Sequence, residues 1–287
     1  MATTWSDQAV SAGGDARGDL LRRLLAQRHT LVMGVVNVTP DSFSDGGRFL
    51  DPQAAIAQSR RLIAEGADII DVGAESTRPY GDAVRVSVEE ERARLQPVLS
   101  DIVALGCPVS IDTLKASVAA WAIDLGVAIV NDVWGLQRDP GMARVVAERS
   151  IPVILMHNRE AADAAIDIVA DVTSFFERSL EIAARAGIAR ERIVLDPGIG
   201  FGKTPQQSMI CIARLDAWRN FGLPLLVGAS RKRFIHSVTP SEPMERLGGS
   251  LAAHLLAVEN GAAIVRVHDV APTVQALAVA AAIRQAR

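Results

Sequence analysis

Eight short apolar runs recur along the chain, at residues 30–36, 67–72, 108–111, 127–130, 152–155, 192–195, 223–227 and 262–267. Most are continuously hydrophobic and do not alternate, the pattern of parallel strands covered on both faces. Between them lie stretches with apolar residues at helical spacing: 52–65, 88–105, 113–125, 140–149, 166–186, 206–221, 244–260 and 271–287. Strand then helix, eight times over, predicts a parallel sheet, and the count of eight predicts that it closes into a single (β/α)8 TIM barrel. A doubly wound open sheet is the other arrangement of such units, but no Gly-x-Gly-x-x-Gly turn follows the first strand. Residues 1 to about 17 read as a loose tail. Leu20, Leu21, Leu24 and Leu25 then form one face of a short helical extension, so the domain is expected to span 18–287.

The connections are asymmetric. Helices return to strands through Gly66, Gly106, Gly126, Gly187, Gly222 and Gly261, as expected for left-handed caps. Two strand-to-helix connections are long, Asn37 to about Asp51 and Gly73 to about Ser87. Long loops at one end of a barrel are expected to hold lids and ligand contacts. The first of them carries Phe43, Asp45 and two glycines, a composition that suits a mobile lid.

Composition narrows the class. Of 287 residues 49% are hydrophobic and only 4% aromatic, enough for one large core of small and branched side chains. A net charge of −3 gives no electrostatic footprint for nucleic acid. Cys107 and Cys211 are too few for a disulfide framework and lack metal-ligand spacing, so both read as small buried hydrophobes. No apolar run reaches the roughly 18 residues of a membrane span, and the N-terminus lacks the apolar core of a signal peptide. A cytoplasmic protein is expected.

The chemistry gathers where the strands end. In chain order these positions are Asn37; Asp71, with Glu75, Thr77 and Arg78 beyond it; Asp112; Asn131 and Asp132; Met156 and His157; Asp196; Ser230, Arg231 and Lys232; Arg266 and His268. A run of polar strand ends is poorly explained by helix caps alone, because burying unpaired charge is costly. Asp112, Asn131 and Asp196 could share a proton, bind a metal or accept from a nitrogen-rich heterocycle. Arg78, Arg231, Lys232, Arg266 and His268 can carry positive charge, which at one rim of an acidic protein points to a bound phosphate or carboxylate. His157 lacks zinc-site spacing and reads as a packed strand-end histidine. The run 196–203 is glycine-dense, letting backbone and Phe201 approach a flat ligand.

Eight segments carry a family resemblance: GVVNVTPDSFSDGG (34–47), GAESTRP (73–79), SIDT (110–113), NDV (131–133), LMH (155–157), DPGIGFGKT (196–204), GASRKRF (228–234) and RVHDV (266–270). Together, in this order and each after a separate strand, they resemble the dihydropteroate synthases over about residues 30–287. The resemblance implies condensation of 6-hydroxymethyl-7,8-dihydropterin diphosphate with p-aminobenzoate to 7,8-dihydropteroate and pyrophosphate, assisted by Mg2+, in a homodimer that uses neither nucleic acid nor membrane. It implies that Asp112, Asn131 and Asp196 accept from the pterin, Lys232 reaches its ring from the other side, and Met156 and Phe201 form walls. Asn37, Arg266 and His268 would hold the diphosphate, with Mg2+ near Asn37. Phe43, Asp45, Thr77 and Arg78 would close over it, and Ser230, the backbone of Arg231, Pro79 and Phe201 would adjoin the aminobenzoate. Asp71 and Asp132 then read as support for their neighbours. A silent pterin- or folate-binding paralogue and a methyltetrahydrofolate-dependent methyltransferase are the other readings; neither requires both the lid sequence and the diphosphate clamp. The chain departs from the pattern after His157, where the loop is short, and at Trp134, for which packing is the only account.

Overall fold

The computed structural model describes residues 19–27, 29–39, 52–75 and 86–286. Within them eight parallel strands close a barrel in chain order: β1 (Leu31–Asn37), β2 (Ile69–Gly73), β3 (Val109–Asp112), β4 (Ile129–Asp132), β5 (Val153–Met156), β6 (Ile193–Asp196), β7 (Leu225–Val227) and β8 (Ala262–Val267). The ring is sealed where β8 pairs with β1, setting Arg266 beside Met33. The described helices are α1 (Leu20–Leu25), α2 (Pro52–Ala64), α3 (Val88–Leu95), α4 (Leu99–Val103), α5 (Ala116–Asp124), α6 (Met142–Arg149), α7 (Ile168–Ala186), α8 (Pro205–Ala213), α9 (Arg233–Val238), α10 (Leu247–Glu259) and α11 (Val270–Gln285). The expected tail at 1–17 lies outside the described residues.

Two apolar clusters organise the molecule. Inside the barrel, Leu31, Met33, Ile69, Ile129, Ile154, Val194, Leu226 and Ile264 pack together with Leu21 and Leu24 of α1. The helical extension thus plugs the end of the barrel where the strands begin. Outside it, Val36, Ile70, Val72, Ile111, Val130, Leu155, Leu195 and Val265 pack under the helices. Both faces of each strand are covered, which accounts for the continuous hydrophobic runs.

Strands β1 to β6 run one or two residues past the expected ends. Asn37 pairs with Gly73, Asp112 with Asn131, Asp132 with Leu155 and Met156 with Asp196, so the ladder continues through polar side chains. The expected helix 88–105 is two helices. Pro97 lies between them, and its missing N–H and its ring break the i to i−4 ladder. Ser87 caps α3 by accepting from the Glu90 amide, with Glu89, Glu90 and Glu91 in the first turn. The expected helix 206–221 likewise divides into α8 and a 3-10 stretch, Leu215–Phe221. Thr204 and Gln207 form a capping box at the start of α8. All six expected glycine caps have positive φ, and Ser150 holds the same position after α6 at φ 54°.

Candidate active site

Side chains on a strand alternate faces, and this divides the polar strand ends into two groups. One pleat beyond the interior residues Ile69, Ile129, Ile154, Val194 and Ile264 stand Asp71, Asn131, Met156, Asp196 and Arg266. They continue the barrel's inner wall into its mouth. Asp132 and His157, one residue out of phase, face the helices instead. His157 packs edge-on against Phe175 of α7, with ring centroids 4.8 Å apart. Asp132 accepts from the amides of Trp134 and Leu136 at 2.9 and 2.7 Å, turning the chain after β4. Both are structural, as expected from sequence.

At the centre of the mouth Arg266 spans two carboxylates. Its Nε donates to Asp71 Oδ2 at 2.6 Å and its Nη2 to Asp112 Oδ2 at 2.8 Å. Asn131 Nδ2 also donates to Asp71 Oδ2, at 3.3 Å. Asp71 is therefore a support for its neighbours, holding Asn131 and Arg266 together. Of the buried oxygens that accept no hydrogen bond from any described residue, three stand together here: Asp71 Oδ1, Asp112 Oδ1 and Asn131 Oδ1. Burial pushes the Asp112 carboxyl up to about 7; Arg266 opposes this, while the charges of Asp71 and Glu91 add to it. Burial opposes the charge on Arg266 too, but its two carboxylate partners hold its pKa above the ordinary value.

Across the mouth Asp196 is buried, and its Oδ1 accepts from the Gly198 amide at 2.7 Å. Burial raises its pKa against the pull of Lys232. Lys232 is half-buried, donates to the Ile199 carbonyl, and places Nζ 4.5 Å from the centre of the Phe201 ring. Burial lowers its pKa to about 7, with Asp196 opposing. Phe201 packs with Met156, Val133, Leu114 and Trp134, forming an apolar wall beside the acceptors. Trp134, unexplained in the sequence, belongs to this wall, and Arg138 stacks over it at 4.8 Å.

At the rim, burial, with Arg266 and Arg231 nearby, lowers the His268 pKa to about 3, and His268 exchanges hydrogen bonds with Ser230 Oγ through its amide at 3.2 Å and Nδ1 at 3.0 Å. The Arg231 guanidinium forks onto Asp269, and its amide donates to Ser250 Oγ at 2.9 Å. Arg231 has φ 60°, and Arg246 donates to its carbonyl at 2.9 Å, so the residue is held from several sides. Asn37 ends β1 half-buried, opposite Gly73. Phe43, Asp45, Thr77, Arg78 and Pro79 lie outside the described residues.

Two lysines went unread in the sequence. Lys115 joins Glu75 and Glu91, at 2.5 Å each, beneath the start of the second long loop. Lys203, inside the glycine-dense run, is almost wholly buried. A lysine within a segment of glycine and apolar residues was the available signal. A hollow of about 730 Å³ opens at the opposite end of the barrel, lined by Leu25, Val258, Val274, Leu277 and Ala281. It lacks the convergent acceptors of the mouth.

Buried acceptors, an aromatic wall and cations at the C-terminal mouth of a closed barrel define a binding site for a flat, nitrogen-rich heterocycle bearing an anion. Residues 33–268 match the family model of pterin binding enzymes, which sets the class as a pterin-binding barrel enzyme. The chain is 46% identical over 242 residues to dihydropteroate synthase of Bacillus subtilis, covering 84% of each chain. Among solved structures it is similar to the dihydropteroate synthase of Xanthomonas albilineans with 4-aminobenzoic acid, at 46% identity and TM-score 0.85, covering 90% of this chain and 94% of that one. The same enzyme in complex with 7,8-dihydropteroate superposes with TM-score 0.82 at 43% identity, with the same coverage of 90% and 94%. The chain belongs to the dihydropteroate synthases, transferases of folate biosynthesis.

Proposed function

We propose how this chain's residues divide the family's reaction, in which 6-hydroxymethyl-7,8-dihydropterin diphosphate and p-aminobenzoate give 7,8-dihydropteroate and pyrophosphate. The observation that carries the assignment is the pair of buried acceptors without a donor, Asp112 Oδ1 and Asn131 Oδ1, opposite Asp196. The amino-pyrimidine edge of a dihydropterin supplies N–H groups to such acceptors, removing a desolvation penalty of about 1–3 kcal/mol for each. Lys232 supplies the opposing donor, and Met156 and Phe201 flank the ring. Because Arg266 is already bonded to Asp112, the pterin set and the diphosphate clamp are one connected unit. Its Nη1 makes no hydrogen bond to a described residue and can meet an anionic oxygen, while neutral His268 serves as a hydrogen-bond donor.

The donor set also fits Mg2+. No group of three or more His, Cys, Asp or Glu among the described residues could form a protein cage for a metal. Mg2+ commonly takes one or two protein oxygens and completes its shell with water and substrate phosphate, so the Asn37 carboxamide is a sufficient protein ligand. Bound there with the diphosphate, it would supply positive charge against the leaving group. The chain's own residues hold the pterin in its plane, keep Arg266 aimed across the mouth and exclude water along the Phe201 wall. Bond breaking precedes attack by the aromatic amine, so no protein nucleophile is required. Phe43, Asp45, Thr77, Arg78 and Pro79 are assigned to closing loops and the aminobenzoate side. Ser230 is assigned beside the aminobenzoate carboxylate, where the Xanthomonas neighbour's 4-aminobenzoic acid supports a site of that chemistry.

No helix among the described residues is long and apolar enough to cross a membrane, and the working unit is proposed to be a cytoplasmic homodimer. Leu256, Val279 and Ile283, exposed on α10 and α11, are the apolar surface proposed for the dimer. The test is a pyrophosphate-release assay with both substrates, with and without Mg2+. Release that depends on both the aminobenzoate and Mg2+ is expected. Pterin binding with no release would instead favour a silent paralogue.

A further inference from the structure

Lys203 is the most buried cation of the described chain, 1% exposed. Its Nζ lies 2.6 Å from His157 Nδ1, 3.0 Å from the Gly198 carbonyl and 3.1 Å from the Phe201 carbonyl. An ammonium has three N–H donors, and here three acceptors are set around it. His157 Nδ1 must then be unprotonated, which places the imidazole proton on Nε2, 3.0 Å from Asp171 Oδ2. Arg159 Nη1 donates to the other Asp171 oxygen at 2.8 Å. The chain of contacts runs from α7, through the side chain of His157 just beyond β5, into the turn after β6.

That turn carries both faces of the pterin site. Asp196 opens it, Ile199 accepts from Lys232, and Phe201 supplies the wall. Its glycines let it press against β5. A Cβ on Gly198 would lie 1.9 Å from the His157 carbonyl oxygen, and one on Gly202 2.4 Å from Arg159 Cβ. Ile199 anchors the turn in the core, Phe201 in the wall and the Gly200 amide on Ser208 Oγ, and Lys203 adds three bonds from one buried group that tie the turn to His157. Burial lowers the Lys203 pKa to about 8, leaving it mainly charged at neutral pH, and lowers that of His157 to about 3, leaving it a neutral acceptor.

We propose that Lys203, oriented through His157 and Asp171, is a positioning residue that fixes the turn 196–202 so that Asp196, Phe201 and Lys232 meet the pterin together. The role deepens the pterin-site reading above and rests on it. The effect is directed at the heterocycle, because the bonds described run to the turn after β6 and to α7, on the Asp196 side of the mouth and away from the Arg266–Asp112 pair.

The experiment titrates the full chain calorimetrically with 6-hydroxymethyl-7,8-dihydropterin and, separately, with inorganic pyrophosphate and Mg2+. Lys203→Met keeps the length of the side chain and removes its donors. Its pterin Kd is expected to rise at least tenfold, with the pyrophosphate Kd within twofold of wild type. Asp171→Asn keeps Lys203 but weakens the anchor of His157. It is expected to raise the pterin Kd about threefold and to shift the His157 ring nitrogen signals in 15N spectra. A folded Lys203→Met protein with wild-type pterin affinity, or with both affinities reduced alike, overturns the proposal. If Lys203→Met does not fold, an unchanged pterin Kd in Asp171→Asn overturns it equally. A wild-type chain that fails to bind the pterin at all would instead sink the site assignment itself.

Discussion

Replacing Asp71 by Asn tests the electrostatic reading of the mouth. Asp71 is fully buried, and one of its oxygens takes hydrogen bonds from both Arg266 and Asn131. The substitution keeps shape and an acceptor but removes a negative charge that shares a guanidinium with Asp112. Two carboxylates on one guanidinium are roughly 6 Å apart, and at an effective dielectric of about 20 they repel by about 3 kcal/mol. Relaxation of Arg266 absorbs part of this, so a drop of roughly one unit in the Asp112 pKa, ~1.4 kcal/mol, is expected. Wild-type Asp112 sits at about 7, and the variant should fall below it. Pterin binding should need Asp112 unprotonated and Lys232 protonated, which gives a bell-shaped dependence on pH. In Asp71→Asn the acid limb should move about one unit lower while the alkaline limb, set by Lys232, stays in place. Calorimetric titration of 6-hydroxymethyl-7,8-dihydropterin between about pH 5 and 9 reads both limbs. An acid limb that stays put or moves upward in a folded variant refutes the coupling.

Three further outcomes are expected. Asp196→Asn should weaken pterin binding by roughly 1.5–3 kcal/mol, the worth of a charge-assisted hydrogen bond, and an unchanged Kd would remove Asp196 from the site. Gly198→Ala should cost about 3 kcal/mol or more in urea denaturation, because the added Cβ meets the His157 carbonyl at a φ of 66°; a loss below about 1 kcal/mol would show that the turn yields easily. Burial depresses the pKa of His157, His254 and His268 to about 3, 4 and 3, from an ordinary 6.5. Below pH 6.5 the unfolded chain therefore binds protons that the fold rejects, and stability falls as pH falls, until the folded pKa values are reached. His254 Nε2 accepts from the Ala229 amide, a bond that Gln can also make. His254→Gln should reduce the slope of stability against pH by about 1.4 kcal/mol per unit near pH 5, and parallel wild-type and variant curves would contradict the assignment.

The barrel was legible because burial on two faces writes each parallel strand as an apolar run, and because glycine marks the left-handed caps. The strand ends were less legible. Asn37, Asp112 and Asp196 interrupt hydrophobicity without interrupting hydrogen bonding, so the ladder outlasts the pattern that announces it. The residues of the site were visible as strand ends, yet their orientation depends on pleat phase, which short continuous runs do not reveal. Asp71 and Asp132 looked alike in sequence, although one meets Arg266 and the other caps a turn. The surroundings of His268 and Arg231 were not legible, since burial beside Arg266 and pairing with Asp269 come from neighbours distant in sequence. Lys203 lay in a motif already singled out but passed without a role, because its partners come from β5 and from a turn that only the fold folds back.

The seam between β8 and β1 has a consequence for how the protein comes apart. Asn37, Asp71, Asp112, Asn131, Asp196 and Arg266 come from six different strands, and the Arg266–Asp71 contact crosses 195 positions of sequence. No contiguous half of the chain contains the whole binding unit, so a half-barrel intermediate gains less from a pterin than the closed ring does. Ligand would lower the population of every state in which the ring is open, wherever the opening occurs. Added pterin should therefore slow hydrogen exchange in strands far from the mouth residues as much as in those that carry them, making occupancy of the site a reporter on closure of the whole ring.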